Sequence, residues 1–271
     1  MRSQDYGNRC PSCRSILFIT QTKLAVNVTL KNIIEKHFPE EYRKRMEEEK
    51  SHESNGLGTA MIPLFCMDVV LPHQRMALNI FEPRYRLLIR RAMSGSRTFG
   101  MIGFERNDIL DVGCEVTIEE CQCLPDGRFA IEVVGVRRFK VKKCEEQDGY
   151  RLAHAQYMTD HSDHSEESVR ELLNLAKEVE EKLDTFLQRV GQRSGRRESA
   201  ILNALTRSAG KKPTLPSEPS NESILSWCED LSFYAGTLLG TIQVVSSSRL
   251  IQTTSTKERL TLLHSSTVLN C

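Results

Sequence analysis

Residues 62–93, IPLFCMDVVLPHQRMALNIFEPRYRLLIRRAM, decide how this chain folds. Val69, Val70 and Leu71 are β-formers closed by Pro72, and Met76 to Phe81 make a second apolar run. Glu82-Pro83-Arg84-Tyr85 then turns the chain, because Pro83 fixes φ near the value a helix needs at its first position. Tyr85, Leu88, Ile89 and Ala92 recur at helical spacing, with Arg86, Arg90 and Arg91 on the opposite side. The stretch predicts two strands, a tight corner and a basic amphipathic helix. An acid and a base flanking a proline are expected to act structurally, so Glu82 and Arg84 should form an ion pair or cap backbone groups rather than bind or catalyse.

Downstream, the pattern stays strand-like as far as Tyr157. Val116 and Ile118 alternate with Thr117 and Glu119, Pro125-Asp126-Gly127-Arg128 supplies turn chemistry, and Phe129, Ile131 and Val133 resume the alternation as the second arm of a hairpin. Apolar parity shifts to Val134 and Val136 and returns at Phe139 and Val141, which predicts a β-bulge near Gly135. Simple alternation would put Arg138, Lys140 and Lys142 on one solvent face. Beyond residue 160 the period becomes helical. Glu166 to Val190 and Ser223 to Gln243 carry apolar stripes, a proline-rich loop spans 210–219, and Ser255 to Glu258 reads as a capping box for a short last helix. Ahead of the strands, Val28 to Lys50 is helical in pattern, with Leu30, Ile33, Ile34 and Phe38 on one face. The polar, glycine-bearing stretch 51–59 marks the expected domain boundary.

In order and spacing, Pro63-Leu64-Phe65, Val69 to Pro72 and Leu78 to Met93 resemble the Lon N-terminal domain, the substrate-recognition module at the front of Lon proteases. Phe99-Gly100-Met101, Gly113-Cys114, Leu124 to Arg128, Val134 to Phe139 and Asp148-Gly149-Tyr150 continue that order, and Ser255 to Leu260 is similar to the family's closing helix. The resemblance implies an α+β fold, with a PUA-like β-barrel of the Lon N-terminal type at 60–160, a small helical bundle at 161–264 and a tail at 265–271. It also implies protein clients as partners, without saying which residues bind them.

A second resemblance lies near the N-terminus. Cys10-Pro11-Ser12-Cys13-Arg14 is half of a tetrahedral zinc site and is similar to the last ligand pair of a RING finger. A RING ahead of a Lon N-terminal domain is the arrangement of LON-and-RING proteins. That implies a truncated RING remnant at 1–18 and a helical linker at 19–59. Zinc on Cys10 and Cys13, and an E2 enzyme as partner in ubiquitin transfer, follow only if a longer product completes the finger. Two ligands alone should hold no stoichiometric zinc.

Composition narrows the function classes. The 271 residues are 39% hydrophobic, with 37 Lys and Arg against 36 Asp and Glu and a net charge of +1, so no overall field draws the chain to nucleic acid. No stretch approaches the roughly 20 apolar residues of a membrane span, and Arg2 and Asp5 stand where a secretory signal would be apolar. Membrane binding is not expected, and the chain is expected in the cytoplasm or nucleus. Its nine cysteines then read as reduced thiols. There is no GxxxxGK[ST] loop to cradle ATP, so the chain is expected to be non-catalytic. Asp160 and His161-Ser162-Asp163-His164 read as a solvated linker at a helix start rather than a metal site. Two readings from other classes stand beside recognition. One is RNA binding through the strand from Arg137 to Lys143, weakened by the absence of an interleaved aromatic platform on the face of Arg138, Lys140 and Lys142, and the other is dimerisation through the 28–50 and 166–190 helices.

Overall fold

The computed structural model describes residues 28–44, 59–105, 108–160, 165–192, 196–217, 219–241 and 246–266. Helix α1 (Val28–His37) comes first and the chain is helical again over 39–44. Ile33, Ile34 and Phe38 on its expected apolar face are exposed.

Eight strands and one helix follow: β1 (Thr59–Cys66), β2 (Arg75–Ile80), α2 (Pro83–Met93), β3 (Thr98–Ile102), β4 (Phe104–Glu105), β5 (Asp108–Ile109), β6 (Val112–Cys123), β7 (Phe129–Gln147) and β8 (Tyr150–Tyr157). β7 pairs with β6, β6 with β3, β3 with β1, β1 with β8, and β8 returns to β7, which closes a ring. Of these pairs only β1 with β3 is parallel. At 19 residues β7 is long enough to take two neighbours along one edge, β2 against its first part and β8 against its last.

The predicted strand at Val69 to Leu71 is not one. β1 ends at Cys66, and 67–74 is a loop in which Val69, Val70 and Leu71 are buried without a ladder. Side chains replace the missing strand partner, since Val69 N donates to Asp68 Oδ1 at 2.7 Å and Leu71 N to Gln74 Oε1 at 2.9 Å. This loop rests on the bulge that parity predicted. Glu115 faces Arg137 but Val116 faces Gly135, so Val136 is the extra residue. A Cβ on Gly135 would collide with the Leu71 carbonyl, which explains the glycine.

The C-terminal part is helical: α3 (Glu166–Gln192), α4 (Arg196–Ala209), α5 (Asn221–Thr241), α6 (Ser247–Gln252) and α7 (Thr256–His264). α4 and α6 lie outside the helical stripes that the sequence predicts, Glu166 to Val190 and Ser223 to Gln243. α5 is apolar nearly all round and lies at the centre of the bundle, in contact with α3, α4, α6 and α7. Two described residues tie the proline-rich loop to the bundle. Lys212 Nζ reaches Glu180 at 2.9 Å and Asp184 at 2.8 Å on α3, and Leu215 packs on the core. Ser255 accepts from Glu258 N at 3.5 Å, the cap expected of α7.

Two apolar clusters fill the molecule. One lies under α2, whose Tyr85, Leu88, Ile89 and Ala92 cover Phe99 and Val133. The other begins inside the barrel at Leu64 and Phe139 and runs without a break to Ala176, Trp227, Leu238 and Leu260 of the bundle. Barrel and bundle therefore share a core across residue 160, and that core backs their seam.

Candidate functional site

The seam opens into two recesses that share Arg75. The loop at 67–74 builds the first. His73 N donates to Gly135 O at 2.8 Å and Gly135 N to Gln74 O at 2.9 Å, which clamps the loop on the bulge and holds His73 at a φ of 65°. From there its Nε2 reaches Asp230 Oδ1 on α5 at 3.0 Å. The hydrogen bond to Asp230 raises the His73 imidazole above its ordinary value, with burial acting in the opposite sense. His73, Lys211, Tyr234 and Asp230 line a cavity of about 390 Å³.

The second recess, about 590 Å³, runs along β2, with Met76 and Ala77 on one wall and Ala204, Arg207 and Ser208 of α4 on the other. Arg75 is fixed here by Glu119, at 2.5 and 3.1 Å, and by Glu132 at 3.4 Å. Among the described residues, β2 pairs with a strand on one edge only. Leu78 and Ile80 of β2 are buried, whereas Ala77 and Asn79 are exposed.

A buried polar cluster sets the seam's geometry. Arg138 donates from Nη1 to Ile251 O at 3.1 Å and Thr253 O at 2.6 Å, and from Nη2 to Asp160. Arg259 meets both Asp160 oxygens, one at 3.0 Å, and its Nε donates to Ser232 Oγ at 3.0 Å. Thr256 Oγ1 donates to Asp160 at 2.5 Å. The Phe233 ring lies 4.2 Å from the Arg259 guanidinium and 5.2 Å from that of Arg138. Burial pushes the Asp160 carboxyl up, but the hydrogen bond and charge of Arg259, with Arg138 and Thr256, hold it below the usual carboxylate range.

This cluster overturns two expectations. Arg138 does not share a solvent face with Lys140 and Lys142, because the bulge and the helices laid over β7 turn it inward, where it is 2% exposed. Asp160 is not a solvated residue at a helix start but the centre of the cluster. Lys140 and Lys142 remain exposed, while Lys143 pairs with Glu145 at 3.2 Å, so the basic strip is broken.

At the Glu82-Pro83-Arg84-Tyr85 corner, Arg84 Nε donates to Glu82 Oε2 at 2.8 Å, with the two side chains 49% and 39% exposed. Glu82 gives α2 no side-chain cap, and Pro83 stands in its first turn. Tyr85 is buried against Phe65, with ring centroids 4.4 Å apart, and the Arg84 guanidinium lies 4.6 Å from the Tyr85 ring. Cys10, Cys13 and the 161–164 cluster lie outside the described residues, among which no metal-holding group of His, Cys, Asp and Glu occurs.

The ATP-dependent protease La (LON) substrate-binding domain matches residues 61–266, from β1 through α7. The chain belongs to the LON substrate-binding domain family. The Lon protease of Cytophaga hutchinsonii is 29% identical over 124 residues, which are 42% of this chain and 15% of that protein. The chain thus spans a small fraction of that relative's length. Among solved structures, the Lon N-terminal domain protein from Xanthomonas campestris is 20% identical with a TM-score of 0.46, over 75% of this chain and 96% of that one. The N-terminal domain of Mycobacterium avium complex Lon protease is 17% identical with a TM-score of 0.49, over 75% of this chain and 95% of that one. The sheet-rich part of this chain followed by its helical C-terminal part is the α+β order that the resemblance implied.

The sequence marks the corner but not the seam. A signal for β2 was present, since Leu78 and Ile80 alternate with Ala77 and Asn79. Nothing local marks His73 and Asp230 as partners, 157 residues apart.

Proposed function

We propose that this LON substrate-binding domain is a non-catalytic protein-recognition module that binds unfolded or extended polypeptide. The family match across barrel and bundle together carries the reading, and the two recesses at their seam support it. Titrating dye-labelled, reduced and carbamidomethylated lactalbumin into the chain tests it. Saturable binding that the native, disulfide-intact protein does not compete away is the expected result. Equal affinity for both forms, or none for either, overturns it.

A finer reading rests on Cys10 and Cys13. Their CPxCR spacing supports a RING finger completed in a longer product, with zinc as cofactor, an E2 enzyme as partner and this domain choosing the client for ubiquitin transfer. Sequencing the transcript upstream of Met1 tests it. Six further Cys and His ligands at RING spacing are expected, and their absence ends the ligase reading.

A further inference from the structure

The second recess is bounded by an unpaired strand edge, and the ladder tells which main-chain groups face it. Gly135 N donates to the Gln74 carbonyl, so Gln74 turns its main chain toward β7. Ser208 Oγ of α4 donates to the Arg75 carbonyl at 3.2 Å from the other side. Antiparallel pairing alternates in this respect. Met76, Leu78 and Ile80 therefore bond to β7, while Arg75, Ala77 and Asn79 direct N–H and C=O outward. Among the described residues, the Ser208 hydroxyl satisfies one of these groups, and the main chains of Ala77 and Asn79 have no partner on that side.

An unpaired edge recognises one kind of ligand, another extended backbone. The opposite wall leaves room for one because Ala204, Ser208 and Gly240 are small. Charge matching defines the ligand further. Arg75 and Arg207 are balanced by Asp68 and Glu132, so the lining has no net charge and favours a segment that has none.

We propose that β2 captures an uncharged, extended segment of an unfolded protein by strand addition at Ala77 and Asn79, in the groove between β2 and α4. The inference rests on the recognition reading above and specifies how that recognition occurs. Backbone pairing gives affinity without a fixed sequence.

Ala77→Pro separates the two claims. Proline removes an N–H that β7 does not use, so the β2–β7 ladder survives, whereas an added strand loses its partner. With the same unfolded lactalbumin as probe, Ala77→Pro should weaken binding by about tenfold, and Ala77→Val, which keeps the N–H, should stay near the parent value. In the unsubstituted chain, exchange at the Ala77 and Asn79 amides should slow when the probe saturates it, a readout independent of how well the proline variant folds. Parent-level binding by Ala77→Pro, with those amides unaffected in the parent, overturns strand addition and leaves recognition standing. No binding by the parent chain overturns recognition itself. Amides already protected without probe, or a mass that doubles with concentration, mean that this chain or a second copy fills the edge, and the proposal falls.

Discussion

Asp160 and Arg259 pair across 99 residues of chain with both side chains enclosed, 2% and 0% exposed. Asp160 follows the last barrel strand and Arg259 belongs to the last helix, so their contact fixes how the bundle closes on the barrel. Arg138 of β7 adds the third side, and the Ile251 and Thr253 carbonyls accept from the Nη1 atoms of the two arginines. A buried ion network is a weak device for stability, because desolvation offsets most of the attraction. It does discriminate geometries: another docking of the helices would leave two guanidiniums dry and unpaired. The widths of both recesses depend on that docking.

Replacing Asp160 by Ala should be far more damaging than its size suggests. Two buried arginines would lose their shared carboxylate, at a cost of about 3–5 kcal/mol. Urea unfolding of the variant should show the midpoint falling in proportion. A loss under about 1 kcal/mol would mean that water or the backbone carbonyls satisfy the arginines without it.

The same pair predicts acid sensitivity. Asp160 has a folded value held below its unfolded one, so its contribution is full above about pH 3.9 and is lost as pH falls through the lowered folded value. Burial, with repulsion from Asp160, raises nearby Glu229, which acts in the opposite sense. Comparing urea midpoints of the parent and Asp160→Asn between about pH 7 and pH 3 isolates the first effect. The parent should lose more stability than the variant over that interval, and parallel curves would refute the assignment.

What the sequence made legible was local. The bulge at Gly135, the corner at Pro83 and the cap at Ser255 each follow from residues within a few positions of one another. The seam does not, because Arg138 finds Asp160 22 residues away and Arg259 another 99 beyond it. Two-residue alternation, sound along a regular strand, fails for Arg138 because β7 bulges just before it and a second layer covers its outer face. Val69 to Leu71 misled for a related reason. β-branched residues suit any dry place, and here Asp68 and Gln74 supply the hydrogen bonds a neighbouring strand would have given.

The corner pair should matter little to stability. Glu82 and Arg84 are partly exposed, so Arg84→Ala leaves no buried charge and should shift stability by about 0.5 kcal/mol or less. Thermal melting checks this. A loss near 3 kcal/mol would show that the guanidinium's packing on Tyr85 matters more than the ion pair.

Salt dependence separates protein recognition from RNA binding. The expected basic face of Arg138, Lys140 and Lys142 has lost Arg138 to the interior, which leaves Lys140 and Lys142 exposed on that face of a chain of net charge +1. Single-stranded RNA held by those two lysines would gain a log-log salt slope of only about −1.4, too little for firm binding at physiological ionic strength. Unfolded polypeptide in a charge-balanced groove should bind with modest salt dependence and a negative heat-capacity change. Replacing Lys140 and Lys142 by Gln should therefore leave polypeptide affinity unchanged while removing whatever RNA binding appears at low salt. Tight RNA binding that survives physiological salt and vanishes in the double variant would reverse the functional conclusion.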